Sequence, residues 1–170
     1  MVMVVSIRVC EESDIPSLYT LTKTGGHSIE DAYFETAFKE QVDGKRLVFL
    51  IFKEDILSGY AHLNFHPQYL PFSRLGIPEI QDIFVHPDFR RLGLAAHLIS
   101  ACEAEAKSRG ITDIGIRVGV TYQFGTAQRL YHRMGYMPDG AGVVFDRQNV
   151  QSGDIRPIDE RLCLMLVKSI

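Results

Sequence analysis

Apolar and polar positions change period several times along the chain, and each change marks a predicted element. Val2 to Val9 carries the β-branched content of a strand. Ile15, Leu18, Tyr19 and Thr22 then fall at helical spacing, with Ser13 or Asp14 to cap and Pro16 in the first turn. Thr24-Gly25-Gly26-His27 breaks that helix. Ser28 with Asp31 forms a capping-box pattern, predicting a helix to about Val42 with Ile29, Ala32, Tyr33 and Thr36 on one side. Leu47 to Phe52 and Ile56 to Phe65 read as a hairpin around Lys53-Glu54-Asp55. His66 to Pro78 holds three prolines and a glycine, which predicts an irregular surface loop exposing Tyr69 and Phe72.

Ile80 to Val85 is a strand by its β-branched and aromatic residues, and Pro87 ends it. From Leu92 the period lengthens: Leu94, Ala95, Leu98, Ile99, Ala101 and Cys102 share one helical face, and Gly110 closes the helix. Thr112 to Val120 alternates, with Ile114, Ile116, Val118 and Val120 on one face and Gly115, Arg117 and Gly119 on the other. Two glycines on one strand face either admit a close-packed neighbour or clear space for a ligand. Gly125 to Met134 is a short helix with Ala127, Leu130, Tyr131 and Met134 on its stripe, ended by Gly135. Asp139-Gly140 and Gly142 turn the chain into a strand near Val143 to Phe145. The continuously apolar Leu162 to Val167 reads as a central strand. The order βααβββαβαββ is mixed α/β, with one helical crossover between the fourth and fifth strands.

Composition narrows the classes. A chain of 170 residues is long enough for one domain with a sizeable core. Its net charge of −3 gives no whole-protein pull toward nucleic acid or anionic lipid. No apolar run reaches membrane-span length, and no signal-peptide pattern opens the sequence. Cys10, Cys102 and Cys163 lack pairing or metal-ligand spacing, which fits buried thiols in a reducing cytoplasm and no metal.

The chemistry concentrates at the entry to the long helix. The first N–H groups of a helix have no internal partner and carry partial positive charge. Gly93 and Ala95 let a ligand's oxygens approach the backbone, and Arg90 and Arg91 add two full charges. This describes a seat for a phosphate or pyrophosphate. It is not a nucleoside-triphosphate loop, since Gly-Lys-Ser/Thr is missing, nor the three-glycine dinucleotide fingerprint.

Arg90-x-x-Gly93-x-Ala95, following Ile83-Phe84-Val85-His86-Pro87, resembles motif A of the GNAT superfamily of N-acetyltransferases. Downstream, Ala127-Gln128-Arg129-Leu130-Tyr131-His132-Arg133-Met134-Gly135-Tyr136 resembles the family's motif B segment, in the family's order and near its spacing. The resemblance implies a single α/β domain over residues 1–170. Its mixed, mostly antiparallel sheet would have a splayed central parallel strand pair and helices on both faces. It implies acetyl-CoA as cosubstrate, with its diphosphate on Arg90, Arg91 and the backbone of Leu92, Gly93, Leu94, Ala95 and Ala96. The pantetheine arm would lie along Ile83, Phe84 and Val85 as an added strand, where an N–H at Phe84 or Val85 stabilises the oxyanion.

By spacing alone a tyrosine on an apolar stripe reads as core, whereas the resemblance places a general acid at Tyr131. Relatives use a strand glutamate as base; Gln81 stands at that position, with Glu79, Asp82, His62 and His66 nearby as alternatives. Alternation puts Gln81 and Asp82 on opposite faces. Phe124 replaces an asparagine that contacts the cofactor arm in relatives, leaving Thr126 or backbone to substitute, and Arg91 replaces a glycine. The acceptor would lie between the Thr24 to Ile29 connection and the His66 to Pro78 loop, with His27, Tyr60, Tyr69, Phe72 and Arg74 as its lining. A small amine or amino-acid-like acceptor is expected over a protein terminus, and relatives' habit of dimerising leaves a homodimer open. With no cysteine in either motif, direct transfer is expected. The competing reading is a non-catalytic acyl-CoA sensor on the same fold.

Overall fold

In the computed structural model, residues 4–170 are described; the first residues of the predicted opening strand, Val2 and Met3, lie outside that range. The strands are β1 (Val5–Val9), β2 (Arg46–Lys53), β3 (Ile56–Asn64), β4 (Glu79–Val85), β5 (Asp113–Gly119), β6 (Met137–Phe145), β7 (Gln148–Asn149) and β8 (Leu162–Ser169). The helices are α1 (Ile15–Thr24), α2 (Tyr33–Val42), α3 (Leu70–Leu75), α4 (Leu94–Ser108) and α5 (Gly125–Arg133). Strand order is β1-β2-β3-β4-β5-β8-β6-β7, and β4–β5 is the parallel pair. Its ladder covers Glu79 with Gly115 and Ile80 with Ile116. β8 lies between β5 and β6, the central position its apolar run predicts.

Two compact units divide the chain. The first comprises the chain up to Asn64 together with Gln81–Glu105. β1 and β2 pair antiparallel, and β2 and β3 form the predicted hairpin, in which Glu54 and Asp55 take positive φ. The core gathers Leu18 and Leu21 of α1, Phe34 and Ala37 of α2, Val48 and Leu50 of β2, Tyr60 of β3 and Phe84 of β4. Burial of such side chains is worth roughly 1.5–3 kcal/mol each. Gly59 of β3 sits so close to β4 that a Cβ there would stand 2.4 Å from the Phe84 carbonyl oxygen.

The entries to α1 and α2 differ from expectation. Asp14 does not cap α1 through its side chain. It accepts the Glu11 N–H at 2.8 Å and pairs with Arg8 at 2.6 Å, closing the turn ahead of the helix. Ser28 and Asp31 do not open α2 either. The helix begins at Tyr33 behind Ala32, whose φ of 60° is left-handed, so backbone geometry rather than a capping side chain sets its start.

The second unit comprises Phe65–Ile80 and Ala106–Ile170. Here β5 and β6 flank β8, and Tyr69, Phe72, Ile77, Val144, Cys163 and Met165 form the core. The segment His66 to Pro78 is therefore not a loop with exposed aromatics. Tyr69 and Phe72 are buried, at 0% and 2% exposure. Pro71 occupies the first turn of α3, where its missing N–H costs nothing, and Gly76 ends the helix at φ 68°. Tyr69 donates to Asp139 at 2.7 Å, and its ring meets Phe72 edge-on at 5.0 Å. The open question over the β5 glycines resolves as packing: Phe72 lies over Gly115 and Phe124 over Gly119.

Gly59→Ala is expected to destabilise the protein by about 1–3 kcal/mol, because the Cβ meets backbone that cannot rotate away. Denaturant unfolding reads this directly; a variant within error of wild type would show that β3 and β4 are not held at this spacing.

Candidate active site

The chain from β4 to the start of α4 brings most of the candidate residues together within the first unit. Ile83, Phe84 and Val85 form the last part of β4, with Phe84 in the core and its neighbours partly buried. The strand ends at Val85, and a single 3-10 turn over Pro87–Phe89 leads to Arg90 and Arg91. Both arginines are exposed. The Arg90 Nε–H donates to the Val85 carbonyl at 3.1 Å, tying the loop to the strand end.

Arg91 and Gly93 both have positive φ, 63° and 79°. Alternating left-handed residues turn successive N–H groups toward one side, as in an anion-binding nest. The N–H of His97 makes the turn bond to the Gly93 carbonyl at 3.2 Å, so those of Leu94, Ala95 and Ala96 precede the helical ladder. A Cβ at Gly93 would come no nearer than 4.0 Å to any neighbour, so the requirement for glycine there is conformational. Two cations and a run of free amide donors fit a diphosphate.

Upstream of Ile83, β4 does not alternate simply. Asp82 has φ 51°, a left-handed residue inside a strand, so alternation alone does not set its side chain's direction. Its carboxylate is exposed and accepts a short hydrogen bond from the Tyr33 hydroxyl of α2. The Gln81 amide oxygen accepts from Asn64 at 3.3 Å. Glu79 is fully buried.

His62, named above as a candidate, belongs to a partly buried polar chain whose links to Arg46 and Glu40 sequence reasoning missed. The guanidinium of Arg46 donates to His62 Nδ1 at 2.8 Å and pairs with Glu40. Arginine has no acceptor, so His62 Nδ1 must present its lone pair and the ring's proton sits on Nε2. His62 is 0% exposed, and burial pushes its pKa down to about 4, with Asp82 opposing and Arg46 reinforcing the shift. It is a neutral donor whose lone pair is already engaged, so it is not a base. No periodicity links Glu40, Arg46 and His62; their pairing follows from strand register and helix placement.

Several lining residues are placed otherwise than expected. Tyr60 is 1% exposed, stacked on Phe84 at 5.6 Å and edge-on to Phe34. Burial raises its pKa further above the ordinary phenol value, with Asp82 adding to the shift. Tyr69 and Phe72 are enclosed in the second unit's core and line no surface. His27 is exposed and stacks on Phe84 at 5.3 Å; Arg74 is exposed at the end of α3. In the second unit, Tyr131 sits on the buried stripe of α5 with its ring 6.4 Å from Tyr136, and burial pushes its pKa up to about 12. Thr126 is exposed in the first turn of α5, and Phe124 packs over Gly119. Among the described residues, no group of three His, Cys, Asp or Glu side chains is arranged to hold a metal ion. No described helix is long and apolar enough to cross a membrane.

The nest, the paired arginines and the strand leading into them lie in one continuous segment, and comparison with known proteins shows the family of the chain. The model of the acetyltransferase (GNAT) family matches residues 13–136. The chain belongs to this family of acetyltransferases, whose members depend on acetyl-CoA. A sequence search among curated proteins finds no match. Among solved structures, a GNAT-family protein from Desulfovibrio desulfuricans is similar with a TM-score of 0.73 and 15% identity, covering 98% of this chain and 99% of that one. The ribosomal-protein-S18-alanine N-acetyltransferase from Escherichia coli is similar at TM-score 0.69 and 18% identity, covering 98% and 94%. The protein yncA from Salmonella typhimurium, solved with its cofactor acetyl-CoA, gives 0.68 and 17%, covering 97% and 93%. At these identities the likeness is one of fold.

His62 also makes stability depend on pH. Its imidazole takes a proton near pH 6.5 in the unfolded chain and near 4 in the folded one. The unfolded state therefore binds more protons in that window, and folding weakens as pH falls through it, by up to about 3 kcal/mol. Unfolding free energies measured from pH 7 to 4 should fall less steeply in His62→Gln than in wild type. Parallel slopes would show that His62 is not buried neutral.

Proposed function

We propose that the protein transfers the acetyl group of acetyl-CoA directly to a primary amine of a small-molecule acceptor. The reading is carried by one observation: the continuous run from Ile83 to Ala96 combines a strand end, two arginines and a left-handed nest at a helix start. Arg90, Arg91 and the N–H groups of Leu92, Gly93, Leu94, Ala95 and Ala96 would hold the diphosphate. The backbone of Ile83, Phe84 and Val85 would carry the pantetheine arm, which the short β4–β5 ladder supports. Thr126, exposed in the first turn of α5, would contribute its hydroxyl to the cofactor. When bound, acetyl-CoA supplies an activated acetyl thioester. An N–H at Phe84 or Val85 would stabilise negative charge growing on its carbonyl oxygen.

Asp82 would take a proton from the acceptor's ammonium, making the nitrogen nucleophilic. It is the exposed carboxylate beside Ile83, whereas Gln81 is an amide and the His62 lone pair is occupied. Tyr131 would deliver a proton to the departing sulfur, and its raised pKa keeps it protonated across the neutral range. The three cysteines are free and buried, which supports both direct transfer and a cytoplasmic setting.

A sensor reading draws on two departures, Gln81 at the usual glutamate position and Phe124 packed over Gly119. Calorimetry with acetyl-CoA and thiol release across an amine panel separate the two. The enzyme reading expects heat on binding and turnover of at least one amine; tight binding with no turnover on any amine indicates the sensor. Tyr131→Phe is expected to lower kcat by about 100-fold or more with acetyl-CoA affinity unchanged. An unaltered kcat would remove Tyr131 from the acid role, and no heat at millimolar acetyl-CoA would remove the whole reading.

A further inference from the structure

We infer that Arg90 is a positioning residue of the acetyl-CoA site: its Nε–H, a directed donor, holds the nest in shape, and this matters more than its charge. The inference rests on the reading that the diphosphate binds at the nest, and it narrows the part that reading gives Arg90.

The Arg90 Nε–H donates to the Val85 carbonyl at 3.1 Å, five residues back along the chain. The bond therefore closes a loop that leaves β4 and ends where the nest begins. Backbone ties run through the same loop. The His86 N–H bonds to the Ser58 carbonyl of β3 at 2.9 Å, that of Phe89 to His86 at 2.9 Å, and that of Arg90 to Pro87 at 3.2 Å. The Asp88 N–H donates to His86 Nδ1 at 3.3 Å. Beyond the nest, His97 Nδ1 lies 2.9 Å from the Gly93 carbonyl. A carbonyl only accepts, so that nitrogen carries a proton. Side chains thus fasten both ends of the segment whose N–H groups would meet the phosphates. A loop already held in its bound form loses less freedom when the ligand arrives, and affinity rises accordingly.

The identity of the donor atom separates geometry from charge. In arginine it is the nitrogen bonded to Cδ, and glutamine bears its amide N–H at that same place without a charge. Lysine has a methylene there; its ammonium lies one atom further on, charged but displaced. A positioning role therefore survives better in Arg90→Gln than in Arg90→Lys, the reverse of what a phosphate-neutralising cation requires. Arg91, the next residue, supplies the comparison: it is exposed, with φ 63°, and would act by charge.

The test is calorimetry with acetyl-CoA on Arg90→Gln, Arg90→Lys, Arg91→Gln and Arg91→Lys. Both side chains are exposed, so all four variants are expected to fold, which thermal unfolding checks. No heat from wild type at millimolar acetyl-CoA would remove the cofactor reading itself. At position 90, Kd for the lysine variant is expected to exceed that for the glutamine variant by about fivefold or more. At position 91 the order should reverse. Raising the ionic strength from about 0.05 to about 0.5 M should shrink the difference at 91 and leave that at 90, because salt screens exposed charge. Without acetyl-CoA, the amides of Phe89 and of residue 90 should exchange hydrogen faster in Arg90→Lys than in Arg90→Gln. Lysine binding as tightly as glutamine at position 90 overturns the inference while leaving the transferase reading standing. So does a gap at 90 that closes in high salt, or equal amide exchange in the two variants.

Discussion

The hydrogen bond from Tyr33 to Asp82 is the contact on which the first unit's polar architecture turns. Asp82 is left-handed inside a strand, a conformation that costs of order 1 kcal/mol for a residue with a side chain. Aspartate is among the residues that tolerate it best. A hydrogen bond to an ionised carboxylate returns roughly 1.5–3 kcal/mol, enough to offset the cost. The bond also ties the first residue of α2, Tyr33, which follows the left-handed Ala32, to β4.

The His62 chain extends this logic inward. A buried imidazole beside a carboxylate would ordinarily be pulled toward its charged form. Here desolvation and Arg46 together outweigh Asp82, so the ring stays neutral. Arg46 is itself held in a partly buried pair with Glu40, while Asp82 stays exposed.

Much of this was legible in the sequence where a single local rule governs. The strand, the arginines, Gly93 and the helix after it are contiguous, and each acts through backbone geometry that the residue type dictates. The hairpin of β2 and β3 was legible for the same reason. Legibility failed where a side chain's partner lies far along the chain. Tyr69 and Phe72 sit among prolines and look exposed until Asp139 and Gly115 arrive from distant segments. Ser28 and Asp31 match a capping pattern, yet α2 starts on a left-handed alanine that no pattern marks. Alternation assigned Asp82 a strand face, and a residue outside β geometry does not obey alternation.

The thiols bear on how an acetyl group would move. A covalent route needs a cysteine with thiolate character and access to the thioester. Burial pushes Cys10 up to about 11 and raises Cys102 and Cys163 as well, so none offers a thiolate at neutral pH. Cys10 spends its S–H on the Glu11 carbonyl and Cys163 on that of Glu160. With no thiolate on hand, the proposed transfer would run by direct attack of the amine once it has lost a proton, and Asp82, one residue before the strand segment Ile83–Val85, is the exposed carboxylate we propose for that step.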